Sequence, residues 1–138
     1  MLRFIGVVES VKEGISSVRI FDDFAVGLNG LDAFSHLIIL YWFHLREDEE
    51  NRQVLKVIPR RHPGAPEVGV FASRSPSRPN PIGLAVAERV KREGNILWVK
   101  GLDAFEGSPI LDIKPYIPHA DAFPEALVPE WTLHGPTT

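Results

Sequence analysis

The sequence predicts a single all-β domain whose short strands close into a small barrel. Its apolar segments are brief and bounded by turn residues, and apolar residues at helical spacing are nearly absent. Twelve prolines and eleven glycines among 138 residues interrupt any long helix. The length and a hydrophobic content of 44% suit one core rather than two. We expect one mainly-β domain over residues 1–138, with few short helices and an irregular tail from about residue 119.

Three strands are predicted in the first half of the chain. Leu2–Val8 and Val18–Phe21 are short runs rich in β-branched and aromatic residues, and a turn at Glu13-Gly14 separates them. His36–Phe43, with the sequence HLIILYWF, is too short to favour a helix and is apolar throughout. We expect this third strand to be buried on both faces near the centre of the sheet.

Proline dominates the middle of the chain. Six of the twelve prolines fall between Pro59 and Pro81, where they exclude regular helix and most ladder hydrogen bonds. Only short strands are expected around this region, at Val54–Ile58 and Val68–Phe71. The remainder of the segment is predicted as a long loop.

A β-hairpin follows the prolines. Leu84–Lys91 and Ile96–Lys100 flank the sequence REGN, a glycine-containing connector of the length typical of hairpins. In the first of these strands Leu84, Val86 and Val90 lie on one side, which is therefore predicted as its apolar face, with Glu88 as a polar exception. A last short strand is expected at Ile110–Ile113.

The charge of the chain is unevenly distributed. Eight Lys or Arg residues and two acids occur from Arg52 to Lys91, so this segment carries +6 and the remainder −9 within a total of −3. A basic face on an acidic body attracts phosphates and other anions, although a solvated loop region explains the same pattern.

Composition also limits the chemistry and the location. The chain contains no cysteine, which excludes disulfides, thiolate nucleophiles and zinc sites built on sulfur. His36 and His44 flank a predicted buried strand without a carboxylate at ligand spacing, so no metal site is expected. The longest apolar run, Leu37–Phe43, is too short to span a membrane, and no leader peptide is evident. We expect a soluble, cytoplasmic protein.

The sequence SRSPSRPNPIG, from Ser73 to Gly83, is the strongest candidate for a binding loop. Each proline fixes its own φ and restricts the residue before it, so the loop is stiff. A stiff loop loses little entropy when it holds a ligand, and Arg74, Arg78 and Asn80 supply donors suited to carboxylate or phosphate. The alternative is that the arginines donate to backbone carbonyls and only hold the loop together.

Several motifs together resemble a known family. GVFASRSPSRPNPIGLA, LDAFSHLIIL, Phe43-His44 and GSPILDIKPYIP are similar to segments of the TsaA-like, TrmO-like S-adenosylmethionine-dependent tRNA methyltransferases, and the similarity runs from about Ile5 to Asp121. The resemblance implies a small β-barrel that works as a homodimer, with cofactor sites near the subunit interface. It also implies methyl transfer to N6 of the threonylcarbamoyl-modified adenosine that follows the anticodon of tRNA.

The resemblance assigns residues to a cofactor site and to an acceptor site. The S-adenosylmethionine contacts correspond to Glu13, Gly14, Ile15, Leu45, Arg46, Arg74, Leu84, Lys100, Gly101, Leu102 and Asp103. Leucine and isoleucine side chains suit an adenine slot, acidic groups suit ribose and amino groups, and Arg74 suits the methionine carboxylate. At the acceptor site, the expected catalytic or orienting residues are Asp112, Lys114, Tyr116, Arg78 and Asn80.

Some features leave alternatives open. Asp112 and Lys114 lie on one face of a strand and also fit a simple surface ion pair. Bacterial members of the family carry a further C-terminal domain, whereas this chain ends soon after the shared barrel, and Ser73 and Ser77 replace a threonine and a phenylalanine that are frequent there. A non-catalytic RNA- or nucleotide-binding module, or a methyltransferase with another acceptor, therefore competes with the tRNA methyltransferase interpretation.

Overall fold

Eight strands and two short α-helices make up the regular structure of the protein, for which a computed structural model describes residues 1–135. Single turns of 3-10 helix occur between them, for example at His44–Arg46, Val70–Ala72 and Glu130–Leu133. The α-helices are α1, Glu49–Arg52, and α2, Pro118–Asp121. The strands are β1 (Gly6–Lys12), β2 (Ile15–Ile20), β3 (His36–Trp42), β4 (Lys56–Val57), β5 (Val68–Gly69), β6 (Ile82–Glu93), β7 (Ile96–Lys100) and β8 (Pro109–Pro115).

Six of the strands form one antiparallel sheet in the order β1-β2-β7-β6-β3-β8. The edge strands β1 and β8 pair through Gly6 with Ile110 and Val7 with Pro109, which closes the sheet on itself. The prediction of a mainly-β fold with few short helices is confirmed. β4 and β5 form a separate two-stranded ribbon outside the closed sheet.

Leu84 and Val86 share one face of β6 with Glu88, as predicted, but this apolar face lies on the outside of the closed sheet. Gly83 and the side chains of Ala85 and Ala87 face the interior, whereas Leu84, at 50% exposure, and Val86, at 45%, point outward. The reason is the limited interior of a small closed sheet, which large side chains of the neighbouring strand β3 already fill. Small inward residues on β6 make room for them.

β3 differs from its prediction in the same way. Leu37, Ile39 and Tyr41 are buried in the core, but the alternating residues Ile38 and Leu40 lie on the outer face and are only half-buried. A strand of a closed sheet has one interior and one exterior face, so continuous apolar sequence did not mean burial on both sides. β3 does pair with a strand on either side, β6 and β8.

Strand boundaries depart from the sequence predictions where glycine and proline act. β1 begins at Gly6 rather than Leu2, and a Cβ added to Gly6 would lie 2.4 Å from the carbonyl oxygen of Arg19 on β2. The predicted strands next to the prolines shrink to the two-residue β4 and β5.

The predicted irregular tail contains α2 and one 3-10 turn, and its last residues, 136–138, lie outside the described part of the chain. Within residues 1–135 there is no helix of the length and apolarity required to cross a membrane.

Candidate active site

The end of β7 and the segment after it carry four of the predicted cofactor residues: Lys100 is the last residue of β7, and Gly101, Leu102 and Asp103 follow it. Gly101 adopts φ +91° beside β6, where an added Cβ would lie 3.7 Å from the Val86 carbonyl oxygen. The carbonyl of Asp103 then accepts a hydrogen bond from the hydroxyl of Tyr41 at 2.6 Å. The segment is therefore tied to both β6 and β3.

Asp103 and Leu102 have different environments. The Asp103 carboxylate is exposed and pairs with the guanidinium of Arg61 at 3.0 Å. The Leu102 side chain is buried in the core, so it does not line an adenine slot as expected, and a ligand can meet only its backbone.

The turn between β1 and β2 lies next to this segment, because Ile15 pairs with Lys100 across the two strands β2 and β7. Its two residues have positive φ, +52° at Glu13 and +78° at Gly14. A positive φ is uncommon for a residue other than glycine and is a local strain that proteins often keep at functional sites. Glu13, Gly14 and Ile15 thus come together with Lys100 as the resemblance implied.

Leu45 and Arg46 follow β3 in a 3-10 turn at the same end of β3 as Tyr41. The Leu45 side chain is exposed, and Arg46 donates a hydrogen bond of 2.7 Å to the hydroxyl of Ser77. Ser77 in turn donates to the side-chain oxygen of Asn51 at 2.6 Å. Serine at position 77 therefore links the proline loop to α1 and to the turn after β3.

Within the proline loop, the structural alternative is the correct one for Arg78. Its guanidinium donates to the backbone carbonyls of Ser73 and Ser75, at 3.0 and 3.2 Å, and so holds the loop. Asn80 likewise accepts a hydrogen bond from Arg52 at 3.2 Å. Arg78 therefore has the loop-holding role, whereas the amide N–H donors of Asn80 are not used by this contact, and a role of either residue at an acceptor stays a prediction.

Arg74 differs from Arg78. Its side chain is exposed and makes no side-chain hydrogen bond or ion pair within residues 1–135. A rigid loop thus presents one unengaged guanidinium.

The outer face of three strands brings predicted cofactor and acceptor residues together. On this face Leu40 of β3 is flanked by Leu84 of β6 and Asp112 of β8. Two strand spacings place those flanking residues about 10 Å apart. The carboxylate of Asp112 pairs with Lys114 at 3.2 Å, which is the surface ion pair anticipated as the alternative.

Tyr116 is next to the same face. Its ring lies 6.4 Å from that of His36, in an edge arrangement. His36 of β3 lies opposite Glu88 of the neighbouring strand β6, so this corner of the face carries ionisable groups.

The predicted site residues Leu45, Leu84 and Asp103 are exposed in a single chain. A depression of about 520 Å³ on the C-terminal tail, lined by Ala122–Ala126, includes none of the predicted site residues. Because ligand sites are usually concave, exposed side chains of this kind fit a cofactor site that a second surface covers.

Sequence reasoning missed Tyr41, Arg52 and Arg61. Burial raises the pKa of the Tyr41 phenol to about 12, and the neighbouring Asp103 carboxylate acts in the same direction. Arg52 donates to the Pro79 carbonyl at 2.7 Å and stacks on Trp42. A tyrosine inside an apolar strand needs a hydrogen-bond partner, which was an available signal for Tyr41. The sequence around Arg52 and Arg61 contains no pattern that distinguishes them from other surface arginines.

Residues 1–135 contain no group of three His, Cys, Asp or Glu side chains arranged to hold a metal ion.

Comparison with known proteins decides the family. A model described as the tRNA-methyltransferase O N-terminal domain matches residues 8–122, which include every predicted site residue. The chain belongs to this family. The resemblance identified from the proline loop and the DIKPY sequence is thus confirmed.

Relatives in the tRNA-methyltransferase O N-terminal domain family carry informative names. An S-adenosyl-L-methionine-binding protein of Archaeoglobus fulgidus is 43% identical over 135 residues, which cover 88% of this chain and 92% of that protein. A tRNA (adenine(37)-N6)-methyltransferase of Rattus norvegicus is 44% identical over 115 residues, which cover 83% of this chain and 26% of that protein.

Solved structures of TrmO proteins have the same fold as this chain. The crystal structure of TrmO from Pseudomonas aeruginosa matches with a TM-score of 0.70 and 29% identity, covering 92% of this chain and 60% of that chain. Relatives vary in length, since this chain spans 37% of a second Archaeoglobus fulgidus protein, named a probable S-adenosyl-L-methionine-binding protein.

Proposed function

We propose that this protein is an S-adenosylmethionine-dependent methyltransferase that modifies N6 of threonylcarbamoyladenosine next to the anticodon of tRNA. Family membership and the names of the relatives support the reaction class. The observation that carries the proposal is a chain of contacts: Ile15, next to the turn at Glu13 and Gly14, pairs with Lys100, and Asp103 is hydrogen-bonded to Tyr41 of β3, which the Arg46 turn follows. A tRNA substrate also implies action in the cytoplasm.

The residues at this end of the sheet fit S-adenosylmethionine chemically. The carboxylates of Glu13 and Asp103 are exposed acceptors for hydroxyl and amino groups. The exposed side chains of Leu45 and Leu84 offer apolar contact for a purine. Arg74, without an intramolecular partner among residues 1–135, is the cation for a carboxylate.

The chemistry requires positioning more than a reactive side chain. When bound, S-adenosylmethionine would supply the methyl group of its sulfonium: the acceptor nitrogen bonds to the methyl carbon as the C–S bond breaks in line, and the thioether S-adenosylhomocysteine is the leaving group. The protein's contribution is then to align the two molecules and to exclude water. Asp112 lies on the outer face with Leu84, where its carboxylate can orient or accept the proton of the acceptor N–H, while Lys114 and Tyr116 hold the acceptor.

The proposed active form is a homodimer. The outer face of β6, β3 and β8 exposes Leu84 and Val86 next to the half-buried Ile38 and Leu40, with charged groups at its rim. Exposed apolar patches of this kind mark interaction sites. A second copy on this face supplies the wall that the open cofactor surface lacks.

Nucleoside analysis tests the substrate. tRNA from a strain that lacks this modification enzyme is incubated with the protein and S-adenosylmethionine, and its nucleosides are examined by mass spectrometry. We expect threonylcarbamoyladenosine to be converted to its N-methyl form. An unchanged threonylcarbamoyladenosine peak with another nucleoside methylated would identify a different acceptor. No methylation despite cofactor binding would favour the non-catalytic binding module.

A further inference from the structure

The eight Lys and Arg residues of the basic segment Arg52–Lys91 fall into two groups. Members of one group make side-chain hydrogen bonds or ion pairs, and the others, called here unengaged, make none with residues 1–135. Five of the eight cations have partners within the fold. Arg52, Arg78 and Arg89 donate to backbone carbonyls. Arg61 and Lys91 pair with carboxylates, and Lys91 also lies over the Trp98 ring. The three others, Lys56, Arg60 and Arg74, are exposed and make no side-chain hydrogen bond or ion pair with residues 1–135. Structural roles therefore account for most of the positive charge but not for these three.

Two of the unengaged cations belong to the β4–β5 ribbon. Lys56 is in β4, opposite Gly69 of β5, and Arg60 lies just beyond β4 in the connecting loop. Glu67 is the only acidic residue from Lys56 to Arg74. The ribbon is thus a positively charged projection on a protein whose net charge is −3.

An exposed aromatic ring accompanies these cations. Phe71 follows β5 in a 3-10 turn and is 79% exposed, which is unusual for a phenylalanine. Gly69, the strand partner of Lys56, precedes Phe71 by two residues. A basic ribbon that also carries an exposed aromatic ring suits single-stranded nucleic acid, because the cations neutralise phosphates and the ring stacks on a base.

The ribbon is attached to the candidate active site at both ends. At its loop, Arg61 follows Arg60 and pairs with the Asp103 carboxylate at 3.0 Å. At its other end, Phe71 precedes Arg74 of the proline loop by three residues. A strand of RNA on the ribbon therefore passes beside the proposed cofactor site.

From this arrangement we propose that Lys56, Arg60 and Phe71, called here the ribbon surface, bind the sugar-phosphate backbone and one unpaired base of the substrate RNA. The proposal rests on the proposed function and adds where the RNA is held. It concerns residues apart from those assigned to the cofactor or the acceptor nitrogen.

Fluorescence anisotropy with an unmodified labelled tRNA transcript tests the ribbon surface. We expect Lys56→Ala/Arg60→Ala to weaken binding about tenfold and to lower the slope of log affinity against log salt by about 1.4, since each phosphate contact contributes about 0.7. Phe71→Ala should weaken binding about tenfold through lost stacking, and Phe71→Trp should retain wild-type binding. Cofactor affinity, measured by calorimetry, should remain unchanged in all three variants.

A matched control variant also loses two positive charges, but at positions outside the β4–β5 ribbon. Arg19 and Lys91 each pair with a glutamate, Glu9 and Glu93, so Arg19→Ala/Lys91→Ala should leave RNA affinity within about twofold of wild type. Equal loss in both double variants would mean that only net charge matters and would overturn the ribbon surface.

The other outcomes are also distinguishable. Wild-type RNA affinity in the ribbon variants would refute the ribbon surface and leave the proposed function intact. A changed oligomeric state with unchanged RNA affinity would identify the ribbon as a protein interface instead. If the wild-type protein itself binds no tRNA, the proposed substrate and the ribbon surface both fall.

Discussion

Arg74 and Arg78 occupy the same short motif but have different environments. Arg78 donates to the carbonyls of Ser73 and Ser75 and so stabilises the loop, whereas the Arg74 guanidinium remains exposed. Because Arg78 fixes the backbone on which Arg74 is carried, a ligand that binds Arg74 loses little loop entropy. We therefore assign ligand binding to Arg74 and a supporting role to Arg78.

Two substitutions separate cofactor binding from catalysis. Arg74→Ala should weaken S-adenosylmethionine binding about tenfold or more by removing a charge-assisted contact to its carboxylate. Asp112→Ala should leave cofactor affinity nearly intact and lower the methylation rate about 100-fold, as for loss of a general base. Calorimetry and single-turnover methylation assays measure the two effects. Equal cofactor affinity in Arg74→Ala and the wild type would remove the role given to Arg74.

Tyr41 makes stability depend on pH in the alkaline range. Burial raises the pKa of its phenol from 10.0 to about 12, so the folded protein holds this proton more tightly than the unfolded chain does. The contribution is complete below the unfolded pKa, and the free energy of unfolding should fall as the pH rises from 10.0 towards about 12.

Urea denaturation of the wild type and of Tyr41→Phe, at about pH 9 and about pH 11, measures this dependence. The variant should be less stable at the lower pH by about 1 kcal/mol, because the hydrogen bond to the Asp103 carbonyl is lost. Its stability should decline less between the two pH values. An identical decline in both proteins would show that Tyr41 is not the responsible group.

At the level of elements, β6 determines how the closed sheet is filled. Its inward residues are small because Tyr41 and Phe43 occupy the space opposite them, with their rings 5.2 Å apart. A Cβ added to Gly83 would lie 2.5 Å from Cζ of Tyr41 and 2.8 Å from Cζ of Phe43. Tyr41 is buried in the core and Phe43 packs against it, so the rings cannot move away without disturbing the core.

Gly83→Ala should accordingly reduce the free energy of unfolding by about 1 to 3 kcal/mol, the usual cost of overpacking. Gly27→Ala is the matched control, because nothing lies within 4 Å of its added Cβ and its φ is not positive. Urea unfolding of both variants checks the difference. Similar stabilities would contradict the packing described for β6.

The same strand shows how far the sequence predicts the fold. Turn residues and apolar runs correctly indicated β3, β6 and β7, since these signals are local. Alternation along β6 could not indicate which side faces inward, because that depends on the large residues of a strand distant in the chain, such as Tyr41. Similarly, the motif identified Arg74 and Arg78, but only the folded loop shows that Arg78 is used by the backbone.

At the scale of the whole molecule, one chain presents an incomplete site. Leu84 and Asp112 lie on an exposed outer face, and Asp103 and Leu45 lie at an open end of the sheet. Desolvation is required to align a cofactor with an acceptor nitrogen, and an open surface does not supply it. The proposed association of two copies through the outer face would enclose these residues.

Val86→Asp tests that association. A carboxylate at this position, where valine is 45% exposed on the outer face of β6, should convert the proposed dimer to a monomer in sedimentation experiments. Val11→Asp is the control, because Val11 is 43% exposed and lies on β1 beyond Gly6 and Val7, the residues of β1 that pair with β8, and so outside the apolar patch. A wild-type protein that sediments as a monomer, or a Val86→Asp variant that remains dimeric, would show that this face is not the interface.

Calorimetric titration of the purified wild-type protein with S-adenosylmethionine tests the central claim most directly. Each chain carries one copy of the residues around Asp103, so we expect one cofactor bound per chain and much weaker binding in Asp103→Asn. Absence of binding by the folded protein, or undiminished affinity in the Asp103→Asn variant, would contradict a cofactor site at this end of the sheet.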